Sequence, residues 1–361
     1  MYLSKRASIP GWKAWMIRIA AVLLGLLVCG GVAFLLIEKL QNNPAKIGEF
    51  YYAFIKGSFS TTRKIWRFLK NLSVLLCISL ALTPAFRMRF WNIGGEGQTL
   101  MGVLSAIAVA FYLGGKVPEG LLLILMLIAA LLVGAIWAVI PALFRAKWGT
   151  NETLFTLMMN YVATFVVSYF LIIWVPSGSS SLGKLKYGKL PVIVNEQLLT
   201  VIIVLLLTIG LYIYLTYTKH GYEISVVGES VRTAQYVGID EKKVIIRTMI
   251  LSGALCGLAG YLIAAGADQT VTTESAGGQG FTGILVAWLG KFNPLFMILT
   301  AGLIQLLNAG ASQISQDFGV NNALPNVIIG IVLFFIIGSE FFINFEIHLS
   351  HHESSEREAV K

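Results

Sequence analysis

The chain is expected to fold as an all-α polytopic membrane protein, on three observations. Its 361 residues are 57% hydrophobic and only 12% charged, against about a quarter charged in ordinary globular domains. Apolar runs near the ~20 residues that cross a hydrocarbon layer recur along its whole length. Polar residues gather in short connectors between these runs, which leaves no stretch for a separate soluble domain. Residues 1–361 therefore read as a single transmembrane domain of about ten membrane segments, some of them short and discontinuous.

Taken in order, Lys5, Arg6, Lys13 and Arg18 precede an apolar run that is too long for a signal peptide and lacks a small-residue cleavage pattern, so 14–37 is the first membrane helix. Residues 38–70 interleave Phe50, Tyr51, Tyr52, Phe54, Trp66 and Phe68 with basic residues, the composition of an interfacial or re-entrant segment. Further helices are expected at 72–86, 97–114, 120–144, 151–175, 198–217 and 244–265, with a Ser-rich loop beginning at Pro176. Two short runs, 281–289 and 294–307, flank Lys291-Phe292-Asn293, and a last helix covers 327–345.

The net charge of +9 does not point to nucleic acid, because Lys and Arg lie in short connectors rather than along one soluble face. They set orientation instead. With both termini cytoplasmic, Arg87, Arg89, Arg145, Lys147, Lys219, Arg232, Lys242, Lys243, Arg247 and Lys291 all fall inside, as does the 346–361 tail. Lys39, Lys46, Lys56, Arg63, Lys64, Arg67 and Lys70 fall on the other side and run against that bias. Cys29, Cys77 and Cys256 each stand alone in an apolar segment, so neither a metal site nor a disulfide is expected. No H-E-x-x-H, G-x-S-x-G or phosphate-loop pattern occurs, and nucleotide energy would have to come from a partner.

Two glycine motifs stand out, Asn92-Ile93-Gly94-Gly95-Glu96-Gly97-Gln98 and Gly277-Gly278-Gln279-Gly280. By the helix assignment they sit at oppositely directed helix starts. That is the arrangement of inverted repeats whose interrupted helices turn free amides toward a transport path, although 36 glycines also allow a chance recurrence. Three one-sided polar stripes accompany them: Gln98, Ser105 and Tyr112; Glu152, Thr156 and Asn160; Gln305, Asn308 and Ser312. Such residues either line a path or hold the bundle by interhelical hydrogen bonds. Glu96 has three open roles: lining the path, locking an inner gate, or capping its own helix through the dipole. Ser252, Gly253, Cys256, Gly257 and Gly260 permit close helix packing. The 219–243 connector carries Val226, Val227, Val231, Tyr236, Val237 and Ile239 among polar residues, a face for docking a protein or for lying on the membrane.

These residues closely resemble the membrane permease subunits of bacterial ATP-binding-cassette importers, in the simple-sugar and nucleoside branch of the ribose and branched-chain amino-acid permease superfamily. The likeness runs from about Leu72 to Phe345 and is strongest at Phe90-Trp91-Asn92-Ile93-Gly94-Gly95-Glu96-Gly97-Gln98, similar to an F-N-I-G-x-E-G-Q signature with Trp91 before the Asn. Asn151-Glu152-Thr153-Leu154, Leu157 to Tyr161 and Gly280-Phe281-Thr282-Gly283-Ile284 also match. Val227 to Ile239 resembles the G-x-N-x-x-A-A-x-Y-x-G-I coupling loop, departing from it at Ser230 and Thr233.

The resemblance implies a multi-pass protein of the bacterial cell membrane that forms half of a translocation pathway and binds no cofactor itself. A cytoplasmic ATPase using ATP and Mg would dock on Gly228, Glu229, Ser230, Arg232, Ala234, Tyr236, Gly238 and Ile239. An external substrate-binding lipoprotein, a second permease subunit and membrane lipid complete the expected partners, without nucleic acid. Asn92, Glu96, Gln98, Glu152, Thr156, Asn160, Gln279, Gln305 and Asn308 are the expected substrate-path residues. Nucleosides are the expected cargo; simple sugars in the same family, or an ion-coupled secondary transporter, are the alternatives.

Overall fold

The computed structural model describes residues 2–5, 10–175, 181–266, 268–320 and 323–348. It forms two compact units, Met1–Ser60 with Leu306–Lys361, and Thr61–Gln305. Among the described residues nine helices are long and apolar enough to cross a membrane, and Gln279–Leu289 is a shorter apolar helix. The expected count of about ten membrane segments is met in this way.

The first unit opens with β1 (Tyr2–Lys5), α1 (Gly11–Leu36), α2 (Glu38–Asn42) and α3 (Ile47–Phe59). The second contains α4 (Thr62–Arg87), α5 (Gly95–Leu113), α6 (Glu119–Trp148), α7 (Glu152–Trp174) and α8 (Leu198–Tyr217). It continues through α9 (Lys219–Glu229), α10 (Val231–Tyr236), α11 (Glu241–Ala265), α12 (Gln279–Leu289) and the opening turns of α13 (Pro294–Phe318). The chain returns to the first unit at Leu306, then forms α14 (Ala323–Asn344) and β2 (Phe345–His348).

In the first unit α1 and α14 pack antiparallel. Cys29 Sγ meets the Ile328 carbonyl at 3.5 Å, and Arg18 Nη2 pairs with Glu340 at 2.6 Å. β1 and β2 pair antiparallel, Tyr2 opposite His348 and Lys5 opposite Phe345, so the two ends of the chain's described part leave the unit together. α3 lays Phe50 and Phe54 inward, Phe50 against the Phe318 ring, while Tyr52, Ile55 and Phe59 stay exposed. The segment expected at 38–70 as interfacial or re-entrant holds α2 and α3 only as far as Phe59.

Residues 62–70 instead form the first turns of a membrane helix. Thr61 caps α4 by accepting from the Lys64 amide at 3.3 Å. Lys70 buries its stem while its ammonium reaches Asp268 at 2.9 Å. A basic and aromatic composition is therefore compatible with a helix whose cations extend to a carboxylate or to the surface. The 219–243 connector is not one loop either: Thr218, Ser230 and Asp240 each cap a new helix, the third being α11, which already begins at Glu241. The run expected to stop at residue 307 continues to Phe318 in α13. The tail after residue 348, with His351 and His352, lies outside the described residues, as does most of the Ser-rich loop.

α11 is the axis of the second unit. A Cβ on Gly257 would fall 2.8 Å from the Ala130 carbonyl carbon on α6, and one on Gly260 would fall 2.6 Å from the Val103 amide on α5. The small-residue face read from the sequence thus brings α5, α6 and α11 to backbone contact, the geometry that dispersion favours where lipid offers no hydrophobic drive between helices.

Candidate functional site

α5 starts inside the bundle. Asn92, fully buried, donates to Ser252 Oγ at 3.1 Å, and Ser252 lies 11 residues beyond Glu241, about 16 Å along α11. Phe90 to Gly94 thus penetrate the unit as irregular backbone before helix forms. Irregular backbone at that depth needs internal partners, and the stripes supply them. Asn92 and Gln98 exchange side-chain bonds at 3.0 and 3.3 Å, and Asn92 Oδ1 accepts from the Gly94 amide at 3.1 Å. On α7, Thr156 Oγ1 accepts from the Ile93 amide at 3.1 Å. Asn160 Oδ1 accepts from the Gly97 amide at 2.9 Å while its Nδ2 donates to the Ile93 carbonyl at 3.0 Å.

Glu96 does not cap its own helix. Its two oxygens accept from the amides of Gly278 at 2.8 Å and Gly280 at 2.7 Å, the first turn of α12, where no side chain of α12 itself supplies a cap. A carboxylate on a helix N-terminus meets both the free amides and the positive dipole end. From this junction the two helices diverge. α5 runs parallel to α11, whereas α12 returns past Trp91, whose ring lies 5.8 Å from that of Trp288, toward Phe292 stacked on Phe86 at 6.1 Å. The two glycine motifs thus meet at one carboxylate and leave in opposite directions.

The remaining expected path residues are dispersed. Glu152 pairs with Arg145 at 3.4 Å. Gln279 opens α12 with a buried amide oxygen that has no hydrogen-bond partner among the described residues. Gln305 is buried on the second unit's part of α13, and Asn308 is half-buried in the first unit. Ser105 donates to its own helix at Gly102, and Tyr112 accepts from Trp174 Nε1 at 3.0 Å. Sequence reasoning missed Ser252 as the partner of Asn92, having read it as packing, and missed the Gly278 and Gly280 amides as the partners of Glu96. Backbone donors leave no mark in side-chain chemistry, and the glycines are their only signal.

The expected coupling residues come together at the opposite end of α11 from Ala265. Arg247 holds α9 through Glu223 at 2.8 Å, and a Cβ on Gly228 would fall 3.1 Å from the Arg87 carbonyl carbon and closer still to its oxygen. Ser230 caps α10 by accepting from the Thr233 amide at 3.3 Å, and Ala234 is fully buried beneath it. The outer face carries Arg232, Gln235, Tyr236 at 91% exposure, Val237 and Gly238, with Glu229 exposed beside it and Ile239 half-buried. Behind this pair of helices a cavity of about 290 Å³ is lined by Arg89, Arg145, Glu152, Glu229 and Glu241. Asp240 caps α11, and the Lys243 amide, with that side chain and the Lys242 amide, holds its carboxyl below the usual carboxylate range. Among the described residues no cluster of metal-ligating side chains occurs.

The family described as branched-chain amino acid transport system / permease component matches residues 64–337. The glucose ABC transporter permease protein TsgB13 of Haloferax volcanii is 29% identical, over 97% of this chain and 94% of that protein. The guanosine ABC transporter permease protein NupP of Bacillus subtilis is 28% identical, over 90% of this chain and 93% of its own length. The nucleoside ABC transporter permease protein NupB of Lactococcus lactis is 27% identical, over 78% and 80%.

Proposed function

The chain belongs to the family of branched-chain amino acid transport system permease components, and on that premise we propose that it is the membrane subunit of an ATP-driven nucleoside importer. The observation that carries the ATP-driven part is α9–α10. Its inner side is fixed on α4 and α11 by Gly228 and the Arg247–Glu223 pair, while Tyr236 and Val237 face outward from a polar surface. Exposed aromatic and aliphatic side chains on a rigid base are how a docking surface gains energy without first ordering itself. A cytoplasmic ATPase with its own ATP and Mg would sit there and push on α4 just before the Asn92 segment.

Orientation follows from charge. Arg87, Arg89, Arg145, Lys147, Lys219, Arg232, Lys242 and Lys243 gather at the α9–α10 end, which we read as cytoplasmic on the positive-inside rule, and the charge bias of the sequence supports the same reading for both termini. A second permease subunit would close the pathway and an external binding lipoprotein would deliver cargo to the other end. Nucleoside cargo rests on the guanosine and nucleoside relatives; the glucose relative favours a simple sugar as the second reading.

In the path we place Glu96 and Gln279, whose buried acceptor would take a donor from a hydroxylated cargo. Asn92, Gln98, Thr156 and Asn160 serve as the frame behind them, and Glu152, Gln305 and Asn308 are left as accessory positions. The test is isolation of the full complex from its own membrane. An ATPase and a second permease are expected to co-purify, with hydrolysis stimulated by receptor loaded with guanosine. Isolation of the chain alone, with uptake intact after removal of the ATPase, would point to an ion-coupled carrier.

A further inference from the structure

The two interrupted helices are held in unequal ways. The start of α5 is built into a buried frame of four side chains, Asn92, Gln98, Thr156 and Asn160. Among the described residues one side chain, the half-buried Glu96, holds the amides at the start of α12, and Gly277 and Gly278 in front of it are exposed. α12 is also bounded by backbone in unusual conformations. Gly277 and Gly278 have φ of 59° and 72°, and after its last turn Lys291 and Phe292 have φ of 52° and 55°. Positive φ is uncommon for residues with side chains, so the 11-residue rod sits between two unusual joints. Along its packed side Gly280 meets the Glu96 backbone and Gly283 meets Ile78 and Ser79, while Val286 and Ala287 are fully buried nearer its far end.

We infer that Glu96 is a positioning residue that latches α12 to α5 in one access state and releases it in the other, so that the rod pivots between its two joints while the α5 frame stays fixed. This rests on the importer reading, and the push on the α9–α10 surface supplies the drive. Force applied at Gly228 reaches the Arg87 carbonyl and Met88 directly, then the short segment through Arg89, itself at φ 60°, to Asn92. Glu96 lies four residues farther on. The latch consists of a carboxylate and two backbone amides, so removing the charge weakens it without removing bulk.

The experiment uses the full complex of permease subunits, ATPase and receptor in nanodiscs. Spin labels are placed at Phe281→Cys on α12 and Lys116→Cys just beyond α5, both exposed, while Cys29, Cys77 and Cys256 are buried. Distances are measured without nucleotide and after trapping with ATP and vanadate. With Glu96 present, trapping is expected to shift the main distance by about 1–5 Å, between a small helix shift and a one-turn step. E96Q is expected to populate the shifted distance before nucleotide is added, and E96D, which keeps the charge on a shorter arm, to give a mixture. A distance that trapping leaves unchanged, or an E96Q distribution matching Glu96 protein, overturns the latch. ATP hydrolysis in the same samples separates the two levels: normal hydrolysis with an immobile α12 defeats the latch alone, whereas a complex that neither assembles nor hydrolyses ATP defeats the importer reading with it.

Discussion

Gly280→Ala should break the contact between α5 and α12 that the glycine motifs create. The added Cβ would stand 2.6 Å from Glu96 Cα and closer to its amide nitrogen, and both neighbours are backbone. Restoring ordinary contact near 3.4 Å moves the helices apart by about 1 Å. The Glu96–Gly280 bond then stretches from 2.7 Å beyond about 3.5 Å, outside hydrogen-bond range. Overpacking of this kind costs about 1–3 kcal/mol, and losing one charge-assisted bond adds about 1.5–3 kcal/mol, giving a total of about 2.5–6 kcal/mol. Gly283→Ala is the matched control, because its closest Cβ contacts would be side-chain atoms, Ile78 Cγ2 at 3.2 Å and Ser79 Oγ at 3.3 Å, and the Ser79 amide at 3.4 Å is already at ordinary contact. Its cost should stay within about 1 kcal/mol. Thermal unfolding of the purified full chain can be followed by the reactivity of Cys77 and Cys256, both fully buried. If G280A melts with the unaltered chain, or G283A costs as much as G280A, the contact does not carry this energy.

Tyr236→Ala should weaken ATPase capture by at least about tenfold, as loss of an aromatic anchor does, while unfolding moves by less than about 0.5 kcal/mol; a pull-down beside a thermal melt reads both. Asn92→Ala removes the bonds to Gln98, Ser252 and the Gly94 amide and should cost about 1–3 kcal/mol at typical interhelical values, with unchanged melting counting against the frame. Asp240→Ala should destabilise the start of α11 at neutral pH. The folded carboxyl lies below its ordinary value, so its contribution is full above the ordinary value and is lost as pH falls through the lowered one. The gap between the unaltered chain and D240A in acid titration should close in that window, and a gap that widens there would contradict the cap.

Much of this was legible in the sequence because membrane folding leaves strong marks. Apolar length set the helix list, and glycine spacing on α11 set which helices approach closely. Boundaries were less legible, even where a cap or breaker is written out. Gly149, in the left-handed conformation after α6, closes that helix four residues beyond the expected end at 144. Thr61, ahead of a basic stretch, starts one where the composition argued for the interface. The Glu152, Thr156 and Asn160 stripe was visible as a face, yet what it faces depended on tertiary placement: Thr156 and Asn160 satisfy the backbone around Ile93, while Glu152 pairs with Arg145. The role of Glu96 was the least legible: its partners are amides 182 and 184 residues away. A carboxylate in the first turn of one helix looks the same in sequence whether it caps that helix or another.

The central claim is that this chain carries nucleosides in a complex driven by ATP. Uptake of labelled guanosine into vesicles holding the complete complex tests it most directly, with ATP inside, receptor outside and no ion gradient. The account predicts uptake that requires ATP, that unlabelled nucleosides suppress and glucose does not, and that falls away with Tyr236→Ala in step with ATPase capture. Suppression by glucose but not by nucleosides would reassign the cargo, and uptake that proceeds without ATP on an imposed ion gradient would contradict the account.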